Sequence, residues 1–142
     1  MKPQNGFTLI ELMIVVVIAS ILAVIAVPAY TNYSIRGRIP DATSNLAAKR
    51  VQMEQYFQDN HTYTGASACN LDTASSKYFK FTCPTLTSTT YTIQADGIGT
   101  MAGFSYTIDE GNTKTTAISA PASAGWQAVS STCWITKQGG AC

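Results

Sequence analysis

Residues 6–30 read GFTLIELMIVVVIASILAVIAVPAY, an apolar run interrupted near its start by Glu11. Phe7 to Ala29 is 23 residues, and at about 1.5 Å per helical residue that length crosses a bilayer. An acidic residue deep in such a span costs roughly 2.5–3.5 kcal/mol. Glu11 lies close to the end, which reduces this cost without removing it. A carboxylate there calls for a partner or a task.

The rest of the chain differs in character. Between Leu12 and Val27 only Ser20 is polar, whereas residues 60–142 are rich in Thr, Ser, Gly and Ala. The chain has 142 residues, which suits one domain with an apolar appendage. Net charge is +1 and only 12% of residues are charged, so neither a basic nucleic-acid footprint nor an acidic tail is present. All four cysteines, Cys69, Cys83, Cys133 and Cys142, fall in the polar part. They form no C-x-x-C, and His61 is the only histidine, so no metal site is expected. Two disulfides in an exported head explain them better than free thiols. Cys69–Cys83 and Cys133–Cys142 are the favoured pairs, because each closes a short local loop.

Three readings compete for the N-terminus. A cleaved secretory signal would use Lys2 as its charged region and cut near Val27-Pro28-Ala29, but the apolar run is longer than such signals need. A permanent anchor would span with residues 7–29. A processed anchor would be cut just before Phe7. Lys2 before the span and Arg36 and Arg38 after it leave the charge rule undecided on orientation. The expected disulfides place the head in an oxidising compartment.

MKPQNG-FTLIELMIVVVIASILAVIAVPAY resembles the prepilin signature of type IV pilins and the related pseudopilins. Its elements are a short charged leader ending in Gly6, then Phe7, then Glu11 in the first turn of a long apolar helix containing Pro28. The resemblance implies a leader over residues 1–6, cleavage between Gly6 and Phe7 by a prepilin peptidase, and methylation of the Phe7 amine. It implies a helix over 7–59, with 7–29 in the membrane and later in a filament core, and a disulfide-bonded head over 60–142. Glu11 and the Phe7 amine are the implied assembly contact, and Pro28 supplies flexibility. The implied partners are other pilin subunits, the inner-membrane assembly machinery and, before assembly, the membrane itself. The implied location is the inner membrane first and then a surface filament. A pseudopilin of a type II secretion system is an alternative, as is an anchored binding module that never polymerises. Adhesion, twitching motility, DNA uptake and nucleic-acid binding stay open.

The expected fold is α+β, a long N-terminal helix packed by its second half against a small antiparallel sheet. Arg36-Gly37-Arg38-Ile39-Pro40 departs from this pattern. Pro40 either kinks or breaks the helix near Ile39 or opens a second helix with Asp41 in its first turn. Beyond it, Ala42, Leu46, Met53 and Phe57 recur at helical spacing, while Lys49, Arg50, Glu54 and Asp59 fall mostly elsewhere. Arg50 and Glu54 are spaced for a surface pair. Alternating patterns predict strands over 78–83, 91–95, 104–108 and 113–118, with 109–112 as a hairpin turn. Cys133 to Thr136 reads as a last short strand.

Catalytic patterns are lacking. His61 sits in a polar Asn-His-Thr segment, Gly97-Ile98-Gly99 reads as a turn, and Asp109-Glu110 reads as a solvated hairpin loop. Tyr30, Tyr33, Tyr56 and Phe57 suit core and subunit packing. No enzyme activity and no cofactor are expected.

Overall fold

The computed structural model describes residues 6–142, with Val129 and Ser130 described for their backbone alone. The leader ahead of Gly6, with Lys2, lies outside the described residues. Helix α1 runs Leu9–Asn60 and is followed by strands β1 (Phe79–Leu86), β2 (Tyr91–Gly97), β3 (Phe104–Asp109), β4 (Lys114–Ile118) and β5 (Ala128–Ser131). The described residues divide into two compact units between Ile35 and Arg36.

In the first unit the large apolar side chains of α1 between Leu9 and Tyr33 are more than half exposed, from Leu9 at 78% to Ile18 at 52%, and only Ile35 at its end is buried. Among the described residues this is the one helix long and apolar enough to cross a membrane. Its few hydroxyls turn back onto the helix. Ser20 Oγ donates to the Val16 carbonyl at 2.7 Å, and Thr31 Oγ1 donates to that of Val27 at 3.0 Å. Such bonds satisfy a polar atom where no water is available.

In the second unit the five strands form one antiparallel sheet in sequence order. Alternation puts Phe79, Phe81, Tyr91, Ile93, Ala95, Phe104, Tyr106 and Ile108 on one buried face. Ile39, Ala42, Leu46 and Met53 of α1 are buried in turn. Lys49 over the Phe81 ring and the Tyr91 hydroxyl on Glu54 show the helix lying across this face.

Helix α1 continues through Gly37 and Pro40, so neither a break at Ile39 nor a second helix opened by Pro40 occurs. Pro40 withholds one amide from the helical ladder, a local cost of about 3 kcal/mol. Ile39 on one side of it, with Ala42 and Leu46 on the other, are all fixed in the core, and that burial outweighs the missing bond. The helix ends where His61 adopts a φ of 55°, the left-handed position usually given to glycine, and donates its amide to the Phe57 carbonyl at 2.8 Å.

The last strand also differs from expectation. β5 is Ala128–Ser131, and Cys133 to Thr136 is not a strand. Thr116 explains the change. Its buried hydroxyl donates to the Cys133 carbonyl at 2.7 Å and accepts from the Ile135 amide at 3.0 Å, while the Tyr106 hydroxyl donates to the Ile135 carbonyl at 3.1 Å. Side chains thus satisfy a backbone that would otherwise need a ladder, and Ile135 becomes core.

The free edge of β1 is covered locally. Asp72 exchanges backbone bonds with Phe81, and the Cys69–Cys83 disulfide ties the preceding turn to the strand. Pro84 falls where the β1–β2 register shifts, a bulge position that tolerates a missing amide. Asp72 also pairs with Lys49 of α1 at 2.8 Å. Cys133 and Cys142 form the second disulfide.

Two measurements probe this packing. Leu46→Ala should cost about 2–5 kcal/mol in denaturant unfolding, whereas Pro40→Ala should unfold at equal or higher denaturant because it restores an amide donor. The Lys49 contact, with Ser75 next, holds the Asp72 carboxyl well below the usual carboxylate range. Its folded state therefore stays ionised after the unfolded state has protonated, so this stability is present at neutral pH and lost as pH falls below about 4. Asp72→Asn should be less stable than wild type at neutral pH, with the difference shrinking in acid.

Candidate functional site

Thr8 is the last residue before α1, and Glu11 sits in the first turn. Their contacts are reciprocal. The Thr8 amide and hydroxyl both donate to Glu11 Oε2, at 3.0 and 2.7 Å, and the Glu11 amide donates to Thr8 Oγ1 at 3.3 Å. This is a capping box, which satisfies helix-start donors that have no partner within the helix. Thr8 was not among the residues expected to matter. Its signal was the T-x-x-E spacing of Thr8-Leu9-Ile10-Glu11, directly ahead of an apolar run.

The cap fixes where the carboxylate points. Glu11 reaches back towards the N-terminus by a full turn, as helical side chains do, and ends beside the amide that follows Phe7. Among the described residues only Oε2 is engaged. Phe7 is 83% exposed, and Gly6 has open space around it. A cut between them would create an ammonium one residue from Thr8. Pro28 lies within α1, in the same exposed apolar stretch.

Two charged residues on the head part of α1, Arg50 and Glu54, turn inward. Glu54 accepts from the Tyr91 hydroxyl at 2.8 Å and from that of Tyr63 at 3.3 Å, while Arg50 Nη2 donates to the Glu110 carbonyl at 3.3 Å. Each of the two has other partners, in place of the expected Arg50–Glu54 pair. Burial, with the Glu54 bond next, pushes the Tyr91 phenol above its usual range, so it remains a donor. Phe57 stacks on Tyr63, which meets Tyr91 edge-on.

The remaining polar candidates are structural. Asp109 Oδ1 accepts from the Thr113 amide at 2.7 Å and Glu110 Oε2 from that of Tyr91 at 3.1 Å, so both carboxylates organise the hairpin end. His61 is an exposed helix cap. Among the described residues no cluster of His, Cys, Asp and Glu could hold a metal ion.

Residues 1–27 match the family model for the prokaryotic N-terminal methylation motif. Residues 28–106, more than half of the chain, match the model described as type IV minor pilin ComP, DNA uptake sequence receptor. The chain belongs to the type IV minor pilin family.

Its curated relatives agree. A fimbrial protein of Pseudomonas aeruginosa is 52% identical over 54 residues, 38% of this chain and 35% of that one. The type IV major pilin PilE of Neisseria gonorrhoeae is 35% identical over 81 residues, 54% of this chain and 48% of the relative. The major fimbrial protein FimA of Dichelobacter nodosus is 35% identical over 86 residues, covering 61% and 54%. The chain therefore spans between about a third and a half of these relatives' lengths. The crystal structure of the non-core minor pilin PilV of Neisseria meningitidis shares the fold. Its TM-score is 0.56 at 21% identity, over 64% of this chain and 94% of that one.

The cap is directly testable. Thr8→Val keeps the side-chain shape but removes both hydroxyl contacts, a loss of about 0.5–2 kcal/mol at the helix start. In detergent micelles the first-turn amides of the variant should exchange faster than those of wild type, while amides beyond Ser20 exchange at the same rate. Unchanged first-turn exchange would show that the cap carries no stability.

Proposed function

We propose that this chain is a structural subunit of a type IV pilus. A prepilin peptidase removes residues 1–6, and the new Phe7 amine is methylated. Residues 7–29 hold the subunit in the inner membrane until the assembly machinery draws it into a surface filament of pilin subunits. The observation carrying this reading is the direction of the Glu11 carboxylate, back towards the position where cleavage would place a positive charge.

Within its own chain Glu11 has Thr8. In a bundle of stems, the amine of a neighbouring subunit supplies a second donor to the same carboxylate. An opposite charge in such a low-dielectric setting attracts far more strongly than in water, although desolvation offsets much of the gain. The pair sets axial register, because a stem that slides leaves two buried charges unmatched. Pro28 withholds one amide from the ladder and lets the stem flex during transfer from lipid to bundle.

A second reading, DNA uptake, is favoured by the family description over residues 28–106. Net charge gives it little help, since the chain is nearly neutral. A DNA contact would rest on local placement of a few basic side chains rather than on a broad basic field.

Sheared filaments test the proposal in one preparation. Mass spectrometry should find subunits that begin at a methylated Phe7. Glu11→Leu should insert into membranes at least as well as wild type yet be strongly depleted from filaments, normalised to the membrane pool. Subunits starting at Tyr30, or normal incorporation of the Leu variant, would contradict the assembly role.

A further inference from the structure

Phe7 stands one residue ahead of the Thr8 cap. In a capping box the side chain at that place often packs on the fourth residue of the helix, which here is Leu12. That staple is open, since Phe7 is 83% exposed and Leu12 60%. The ring of the residue that cleavage would make N-terminal is thus left for a partner outside its own stem.

The stem also carries a groove. Ile10, Met13, Ile14, Val17 and Ile18 line a depression of about 320 Å³ on α1, and their spacing by threes and fours places them on a single face. An apolar cavity of about 150 Å³ already holds a benzene ring, so the groove has room for a phenyl side chain. Met13 adds a polarisable sulfur, which makes favourable contacts with aromatic rings. Glu11 stands at the rim. Ile14 and Ile18 lie three and seven residues after it, on its side of the helix. Thr8 holds Glu11 through Oε2, which leaves Oε1 for a further donor.

We infer that this groove seats the Phe7 ring of a second copy of the chain, while Glu11 at its rim takes the ammonium of that same residue. The inference rests on the reading of Glu11 as an assembly contact. It extends that contact from one charge to a two-point site for an N-terminal aromatic residue. Charge complementarity selects this occupant. A lipid tail fills the groove equally well but brings no cation to the carboxylate, and an uncleaved chain brings the ring with an uncharged peptide. A processed subunit offers both. Stems in a membrane have no hydrophobic force drawing them together, since lipid is as apolar as the helix, so close packing and polar contacts select the neighbour. Seating the ring also fixes the rotation of the incoming stem, which a lone ion pair leaves free.

Full-length chains carrying photo-methionine in place of methionine, assembled into filaments, test the seat. Irradiated filaments should yield a product joining Met13 of one subunit to Phe7 of another, identified by mass spectrometry. Subunits still in the membrane should yield products of Met13 with lipid in its place. Ile14→Phe, which fills the groove from its own stem, should abolish the inter-subunit product and deplete the subunit several-fold from filaments relative to the processed membrane pool. Wild-type filaments in which Met13 reacts with lipid or with other stem residues and never with Phe7 overturn the inference, as does normal incorporation of Ile14→Phe. Glu11→Leu in the same series separates the two readings. If that variant is excluded from filaments while the Met13–Phe7 product is missing from wild type, the assembly contact stands and the groove alone falls. If it enters filaments normally, both fall.

Discussion

A stem that is apolar along its length but carries one carboxylate must satisfy that group wherever the stem resides. Here the constraint is met first within the chain. Thr8 and Glu11 close a reciprocal cap, so the acid also satisfies donors that the helix start leaves open. The helix dipole favours the same placement, since negative charge is stabilised near an N-terminus. The cap engages one carboxylate oxygen and points it back towards the Gly6–Phe7 junction. In the proposed function, one residue thereby serves a stem in lipid and a stem in a bundle. A carboxylate at the middle of the run would have neither advantage.

The second half of the same helix meets a different constraint. Ile39, Ala42, Leu46 and Met53 cover the apolar face of a sheet that would otherwise be bare. That burial carries the helix through Pro40 and keeps charged groups at its margins. Lys49, Arg50 and Glu54 each reach across to the head, to Asp72, the Glu110 carbonyl and the two tyrosines. The disulfides add covalent ties, one joining the turn at Cys69 to β1 and one closing the C-terminal loop.

Much of this was legible in the sequence because it depends on periodicity. The long apolar stretch, the buried stripe after Pro40, four of the strands and the 109–112 hairpin turn follow from composition and spacing. What was not legible depends on tertiary contacts. Pro40 looked like a boundary because local propensity counts the missing amide and cannot count the core on either side of it. Cys133 to Thr136 looked like a strand because alternation does not show that Thr116 and Tyr106 supply its hydrogen bonds. Arg50 and Glu54 looked like a surface pair because their spacing allows one, whereas the head offers each another partner. The role of Thr8 is legible in principle, since the capping-box pattern stands in the primary structure.

In the proposed assembly, Glu11 adds to its internal partnership with Thr8 a second one that crosses between subunits. Filaments assembled from a mixture of two subunit pools, one with a nitrogen-labelled Phe7 amine and the other with a carbon-labelled Glu11 carboxyl, isolate that contact by solid-state NMR. A dipolar coupling between the two labels, at ion-pair range and only in mixed filaments, is the predicted result. Filaments in which the Glu11 carboxyl couples to Thr8 of its own chain and to no Phe7 amine of another would contradict it.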